Sequence, residues 1–253
     1  MSFLQGDPIT LDVCSAVFPE EVVDRYLYVN ITIPGNSQNS YGGPPVFHRF
    51  NPENLSITLT KNPRIASYVR NLRIRISRSA LHRKMPFILS QLSRVESTVL
   101  SQSGYSDGIP WLNLNKGFRT VFVDHLKLPT IETISISGIE GFPLSVIDKC
   151  KNLKRLSLIG KFRDSSSLST SSPCSLQHLE VTPQTSPRKF VSWAKMNTLQ
   201  SLSLNFYKLQ YRGTLSFPDI LQGFSSTLLN LELKFGYCKP SYLPMANALY
   251  PLP

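Results

Sequence analysis

The feature that most constrains this chain is a short pattern, apolar-x-x-apolar-x-apolar, that recurs along it. Successive copies begin 26, 36, 22, 23, 23 and 29 residues apart. Each copy predicts a short strand whose alternating apolar side chains face one side, and a single strand cannot bury that face by itself. Parallel copies that pack side by side would bury it. The copies begin at Val69, Val95, Ile131, Leu153, Leu176, Leu199 and Leu228.

The spacing of these copies predicts the architecture. Five of the six spacings fall within the roughly 20–29 residues typical of leucine-rich repeats, and the spacing of 36 indicates an insertion. The segments between copies carry helix signals, such as Ser186 at an N-cap position followed by Pro187. We therefore predict an α/β fold, a leucine-rich-repeat solenoid in which a curved parallel sheet alternates with helical returns in irregular repeats. The predicted helical segments are 83–92, 117–126, 142–150, 186–196 and 217–224.

Three stretches of the chain resemble one family. Residues 62–74 (NPRIASYVRNLRI) resemble a recurring segment of fungal F-box proteins with leucine-rich repeats, and residues 128–160 are similar to their repeat region. Residues 11–33 resemble the end of an F-box and the strand that follows it. The resemblance implies that residues 1–27 are a remnant of the last F-box helix with its lead-in, and that residues 28–253 form the solenoid. It also implies the substrate-recognition role of a ubiquitin-ligase subunit. The residues that match the last F-box helix are Leu11, Cys14, Ser15 and Val17.

The chain departs from that family at two places. Only ten residues precede Leu11, so most of the F-box is missing. We therefore expect a Skp-type adaptor and a cullin as partners only if an F-box is restored. The Asn or Cys that follows the strand in many leucine-rich repeats is also absent, which predicts an irregular solenoid. Its place is taken by Ile139, Lys161, Gln184, Tyr207 and Gly236.

The charge of the chain favours acidic partners. The formal net charge is +11, from 27 Lys and Arg against 16 Asp and Glu, and no acidic residue lies between Glu53 and Glu96. An alternative function is therefore a basic nucleic-acid- or anion-binding protein that uses residues 61–84. We expect nucleic acid to be the less favoured partner, because the nearest aromatic residues, Tyr68 and Phe87, fit core positions.

Motifs that carry chemistry are absent from the sequence. There is no nucleophile elbow, zinc-protease motif or phosphate-binding glycine loop, and the four cysteines include no Cys-x-x-Cys pair. We therefore expect no enzymatic activity, no cofactor and no metal. The chain has no apolar run long enough to span a membrane and no signal peptide at its start. These features predict a cytoplasmic or nuclear protein that does not enter a membrane.

The positions that alternate with the apolar residues of each copy supply the candidate binding surface. These positions face away from the core, so we expect Leu156 to be buried and Ser157 to face solvent. The concave face of such a solenoid commonly binds protein. The sequence therefore predicts a non-enzymatic protein-binding solenoid whose partner lies on this face. The candidate partner-binding residues are Arg73, Arg75, Arg155, His178, Glu180, Asn205, Glu232 and Lys234.

Overall fold

The computed structural model describes seven stretches of the chain, which fall into two compact units. The first unit comprises residues 1–104 and 114–131, and the second comprises residues 105–113 and 132–253. The proposed F-box remnant, residues 1–27, lies outside the described residues, and so do the predicted helices at 186–196 and 217–224. The described residues are 30–33, 48–76, 81–102, 108–162, 175–182, 198–205 and 227–234.

The strands of the first unit are parallel and pair in the order β4-β3-β1-β2. Along β3, half-buried and buried residues alternate, and the buried ones are Leu72, Ile74 and Ile76. This period of two is the one that the apolar pattern predicted. The four strands are β1 (Asn30–Ile33), β2 (His48–Arg49), β3 (Asn71–Ile76) and β4 (Ser97–Gln102).

Three helices accompany these strands: α1 (Pro52–Lys61), α2 (Met85–Gln91) and α3 (Lys116–Leu126). Helices α2 and α3 confirm the helical segments predicted at 83–92 and 117–126. Helix α1 was not predicted, although Asn51 caps it by accepting a hydrogen bond from the backbone N–H of Glu53 at 2.8 Å. Proline at its first position is the accompanying start signal. A 3₁₀ turn at Pro63–Ser67 follows α1.

The described residues of the second unit form five parallel strands in the order β6-β8-β9-β10-β11 and a separate pair, β5 with β7. The segment predicted as helical at 142–150 forms a 3₁₀ helix, Leu144–Lys149, and not an α-helix. The strands are β5 (Ile109–Pro110), β6 (Thr133–Ser137), β7 (Ile139–Glu140), β8 (Arg155–Ile159), β9 (His178–Val181), β10 (Ser201–Asn205) and β11 (Asn230–Lys234).

The register of these five strands aligns equivalent positions of successive sequence copies. Leu156 lies directly opposite Ile134 on one side and Leu179 on the other, and the same row continues through Leu202 to Leu231. Leu156 is 2% exposed, which confirms its predicted burial. The α/β class and the parallel strands of this unit are thus as predicted.

A hydroxyl group precedes the first apolar residue of several copies and links each to the copy before it. Thr198 Oγ1 donates to the carbonyl oxygen of Leu176 at 2.8 Å, and Thr227 Oγ1 donates to that of Leu199 at 2.9 Å. Ser175 makes the equivalent bond to Leu153 at 3.1 Å. In the first unit, Thr130 Oγ1 donates to the carbonyl oxygen of Val95 at 2.7 Å. These side chains form a hydroxyl ladder that satisfies backbone carbonyls between copies.

Candidate partner-binding surfaces on the strands

The second unit presents two polar rows on the side of its strands opposite the Leu row. In the first row Arg155 on β8 lies directly opposite His178 on β9. In the second row Ser157, Glu180 and Ser203 lie opposite one another on β8, β9 and β10, and Glu232 follows on β11. The strand register therefore brings together predicted binding residues that are far apart in the sequence.

Serine and glutamate alternate along the second row and are hydrogen-bonded in pairs. Ser157 Oγ donates to Glu180 Oε2 at 2.7 Å, and Ser203 Oγ donates to Glu232 Oε2 at 3.0 Å. Hydrogen bonds to a carboxylate are stronger than those between neutral groups, and they restrict the glutamate rotamers. Each carboxylate is thus held in a defined orientation.

Lys234 joins the two glutamates. Its Nζ lies 2.9 Å from Glu180 Oε1 and 3.1 Å from Glu232 Oε2, so its side chain crosses β10 to reach β9. The pKa of Lys234 is raised mainly by its hydrogen bond to Glu180 and, to a smaller extent, by its hydrogen bond to Glu232. The pKa of Glu232 is lowered mainly by its hydrogen bond with Lys234 and, to a smaller extent, by the hydrogen bond from Ser203. These shifts favour the charged forms of both Lys234 and Glu232. We call Ser157, Glu180, Ser203, Glu232 and Lys234 the Lys234 network.

Two outward-facing positions of β10 are buried, contrary to the sequence prediction. Ser203 is 8% exposed, and Asn205, a predicted partner-binding residue, is only 5% exposed. Asn205 lies directly opposite Lys234, whose side chain crosses β10 on its way to Glu180. Asn205 is therefore not on the accessible surface. Arg155 and Glu232 are exposed, and His178 is half-buried.

The first unit carries the two predicted arginines side by side. Arg73 and Arg75 are two residues apart on β3, so both project from the same side of the strand, and both are half-buried. Thr32 and Val99 lie opposite Arg73, and Ser101 lies opposite Arg75. Burial lowers the pKa of Arg73, and the charge of Arg75 lowers it further. These two like charges therefore interact directly.

The basic stretch at 61–84 is partly neutralised by the two glutamates that flank it. Glu53 lies 3.4 Å from His82 and 3.8 Å from Lys84. Glu96 lies 3.2 Å from Arg70. The predicted core position of Phe87 was wrong, because Phe87 is 39% exposed on α2. One aromatic side chain therefore does lie at the surface close to basic residues.

A buried polar pair in the first unit was missed from the sequence. His125 on α3 is 3% exposed, and its Nε2 lies 3.1 Å from Oγ1 of Thr98, which is fully buried on β4. Burial lowers the pKa of His125 to about 4, against a smaller opposing effect of the Leu92 backbone. A signal was present: Thr98 occupies an apolar position of its copy, and His125 continues the helical stripe of Phe118 and Phe122.

Within the described residues, no group of three or more His, Cys, Asp or Glu side chains could hold a metal ion. The helices in that part of the chain are also too short or too polar to cross a membrane. No family model matches the chain, and a comparison with curated proteins finds no match. What the chain does must therefore be inferred from its own residues.

Proposed function

We propose that the chain is a leucine-rich-repeat solenoid that binds a protein partner on the concave, outward-facing side of its strands and catalyses no reaction. The register of β6 and β8–β11 supports the solenoid, because each sequence copy adds one strand at the same alignment. The hydroxyl ladder also repeats from copy to copy, as expected for stacked repeats.

The Lys234 network is the observation that carries the binding proposal. Ser157 and Ser203 orient its two carboxylates, and the carboxylates hold the Lys234 ammonium group, before any partner arrives. Ordered side chains lose little conformational entropy on association, so a preorganised polar surface favours binding. Arg155 and His178 border this network. The exposed Arg155 and the exposed Glu232 of the network offer both signs of charge, which suits a protein partner with a mixed surface.

The resemblance to fungal F-box proteins adds a role for that partner. We propose that the bound protein is a substrate for ubiquitin ligation, and that a Skp-type adaptor and a cullin take part where an F-box accompanies these repeats. Leu11, Cys14, Ser15 and Val17 carry this part of the proposal, and they lie outside the described residues. A pull-down of purified adaptor by the 253-residue chain tests it. We expect weak or no recovery of the adaptor, and a Kd of about 1 μM or tighter would contradict that expectation.

Anion or nucleic-acid binding by residues 61–84 is the second candidate. The exposure of Phe87 favours it, since an aromatic face beside basic residues can stack on a base. The pairing of Arg70 with Glu96, and of His82 and Lys84 with Glu53, weighs against it. Paired basic residues attract phosphate less strongly than isolated ones.

A charge swap tests the protein-binding proposal without altering the net charge. The double variant Arg155→Glu with Glu232→Arg changes two exposed residues of the strand surface. The matched control is Asp124→Lys with Lys127→Asp, which swaps an exposed ion pair of α3 whose atoms are 2.6 Å apart. Each variant is tagged, cross-linked in cells and analysed by quantitative mass spectrometry.

The two variants should then behave differently. We expect at least one partner protein that the wild type and the control recover equally, and that the strand-surface variant recovers about tenfold less, a loss of about 1.4 kcal/mol. Equal recovery of every partner by all three proteins would place the binding surface elsewhere.

A further inference from the structure

The first polar row of the second unit consists of side chains that are not bonded to one another. The row continues from Arg155 and His178 to Thr133 on β6 in one direction, and to Ser201 on β10 and Asn230 on β11 in the other. Within the described part of the chain, these side chains make no hydrogen bond or ion pair. Arg155 and Asn230 are exposed and the other three are half-buried, so their donors and acceptors are open to a partner.

Arg155 has no counter-charge, because the carboxylates on the neighbouring strands have other partners. On β9, Glu180 Oε1 lies 2.9 Å from Lys234 Nζ. Immediately before β6, Glu132 Oε1 lies 2.7 Å from Lys154 Nζ. An exposed guanidinium group without a counter-charge in its own chain can donate two parallel hydrogen bonds to a carboxylate from another molecule. The first row therefore presents a positive group that its surroundings leave uncompensated.

We propose that the first row binds an extended segment of the protein partner, and that one carboxylate of this segment accepts hydrogen bonds from Arg155 and His178. This inference rests on the proposed function, because it names the partner chemistry of the same strand surface. Arg155 and His178 lie opposite each other on neighbouring strands, about 4.8 Å apart, so one carboxylate can lie between them. The row crosses the four intervals between β6 and β11, about 19 Å, a distance that about six extended residues span.

Charge complementarity favours a single acidic side chain over a polyanion. The first row carries one arginine, and the exposed carboxylate of Glu232 follows Asn230 by two residues on β11. Nucleic-acid binding depends on several basic residues that neutralise phosphates together. The five strands also contain no Phe, Tyr or Trp on which a base could stack. A protein segment can instead place one acidic residue at Arg155 and polar or basic residues towards Glu232.

The first experiment selects peptides on the full chain from a phage-displayed library of random decapeptides at about 50 mM salt. Selections on the wild type are compared with selections on Arg155→Glu. The control Arg83→Glu makes the same substitution at an exposed turn position of the first unit. Because Arg155 is exposed and has no bonded partner among the described residues, its replacement removes no internal contact.

The expected result is a change of specificity that general electrostatic attraction would not produce. The wild type and the control should both enrich peptides with one Asp or Glu at a fixed position, and Arg155→Glu should enrich Lys or Arg at that position instead. The inference is overturned if the wild type selects no peptides or peptides without an acidic preference. Retention of that preference by Arg155→Glu, or its loss in the control, also overturns it.

The second experiment measures the coupling between the selected carboxylate and Arg155 by fluorescence anisotropy. The tightest selected peptide and its carboxamide version are titrated against the wild type, Arg155→Gln and His178→Gln. We expect the acidic peptide to bind about tenfold more weakly to Arg155→Gln and about threefold more weakly to His178→Gln. The carboxamide peptide should bind the wild type and Arg155→Gln equally, because the pair is already broken. Additive losses, or an unchanged Kd for His178→Gln, would contradict the proposed contact.

The charge swap at Arg155 and Glu232 in cells tests the proposed function separately. A partner that the swap loses, without any acidic preference in the selections, removes the inference and leaves the proposed function standing. Equal recovery of every partner, together with selections that yield no peptide, removes both. Displacement of the selected peptide by a short oligothymidylate, lost in Arg155→Gln, would assign the row to nucleic acid instead.

Discussion

At the scale of single residues, the most informative pair is His125 with Thr98. The imidazole is buried beside a buried hydroxyl, so one neutral tautomer is hydrogen-bonded in the fold, while a charged ring would have to be desolvated. The pKa of about 4 expresses this preference for the neutral form. A polar pair at an otherwise apolar position makes the stability of the first unit sensitive to acid.

The pH dependence follows from the direction of that shift. In the unfolded chain His125 takes up a proton as the pH falls below its ordinary pKa of 6.5, whereas burial lowers the pKa of His125 in the folded chain to about 4. His125 thus contributes stability above that window and loses it as the pH falls through it, by about 3 kcal/mol in total. Urea unfolding between about pH 7 and 4 should show a shallower decline for His125→Gln than for the wild type. Identical pH profiles would show that His125 is not responsible.

Ser157 illustrates how a neighbouring residue changes an expectation. An aspartate at a solvent-facing strand position would ordinarily be tolerated. Ser157 donates to Glu180, however, so Ser157→Asp would place a second carboxylate against that of Glu180, and the two would repel. We expect a loss of about 0.5–1 kcal/mol for Ser157→Asp, little change for the neutral Ser157→Asn, and several kcal/mol for Leu156→Asp in the core. Thermal melting of the three variants gives their order. Equal melting temperatures for the two Ser157 variants would contradict the repulsion.

At the scale of elements, the hydroxyl ladder is the feature that joins one strand copy to the next. The donors at Ser175, Thr198 and Thr227 each satisfy a carbonyl oxygen of the preceding copy. The sequence lacks the Asn or Cys that follows the strand in many leucine-rich repeats. Ile139 takes one of these places, and its side chain is fully buried. In these copies the hydroxyl that precedes one strand satisfies the first apolar residue's carbonyl oxygen in the copy before it.

Replacement of a ladder threonine by valine isolates this bond, because the two side chains have nearly the same shape. We expect Thr198→Val to lower the free energy of unfolding by about 1 kcal/mol, since the Leu176 carbonyl loses its donor. The matched control is Thr120→Val, whose exposed hydroxyl bonds only within α3. Denaturant titrations measure both. A loss at Thr120 as large as that at Thr198 would contradict a specific role for the ladder.

At the scale of the whole molecule, stability should vary across the strands of the second unit. Leu156, Leu179 and Leu202 are at most 2% exposed, whereas Leu231 in the same row is 43% exposed. Strand β11 therefore buries less apolar surface than its neighbours and should open at a lower free-energy cost.

Hydrogen exchange monitored by mass spectrometry tests this gradient. Peptides that cover β11 should exchange about tenfold faster or more than peptides that cover β8, because their opening exposes less apolar surface. The Lys234 network opposes this trend by linking β11 to β9, so Lys234→Gln should accelerate exchange in β11 and leave β8 unchanged. Equal protection of β8 and β11 in the wild type would contradict the gradient.

The sequence by itself determined the strands that carry the recurring pattern, their alternation, and the helices at 83–92 and 117–126. The period-two pattern and the recurring spacing are local properties, so the parallel strands of the second unit and the burial of Leu156 followed from them. Helix α1 could also have been predicted from the sequence, because Asn51 and Pro52 form an ordinary helix start signal.

Only the tertiary structure decided which polar residues meet. Lys234 reaches Glu180 across 54 residues of sequence, and Asn205, which the alternation alone places in solvent, is buried. Thr98 and His125 pair only because α3 lies against β4. Each of these contacts depends on strand register and packing between distant segments, and a local pattern carries no information on which partner will lie opposite.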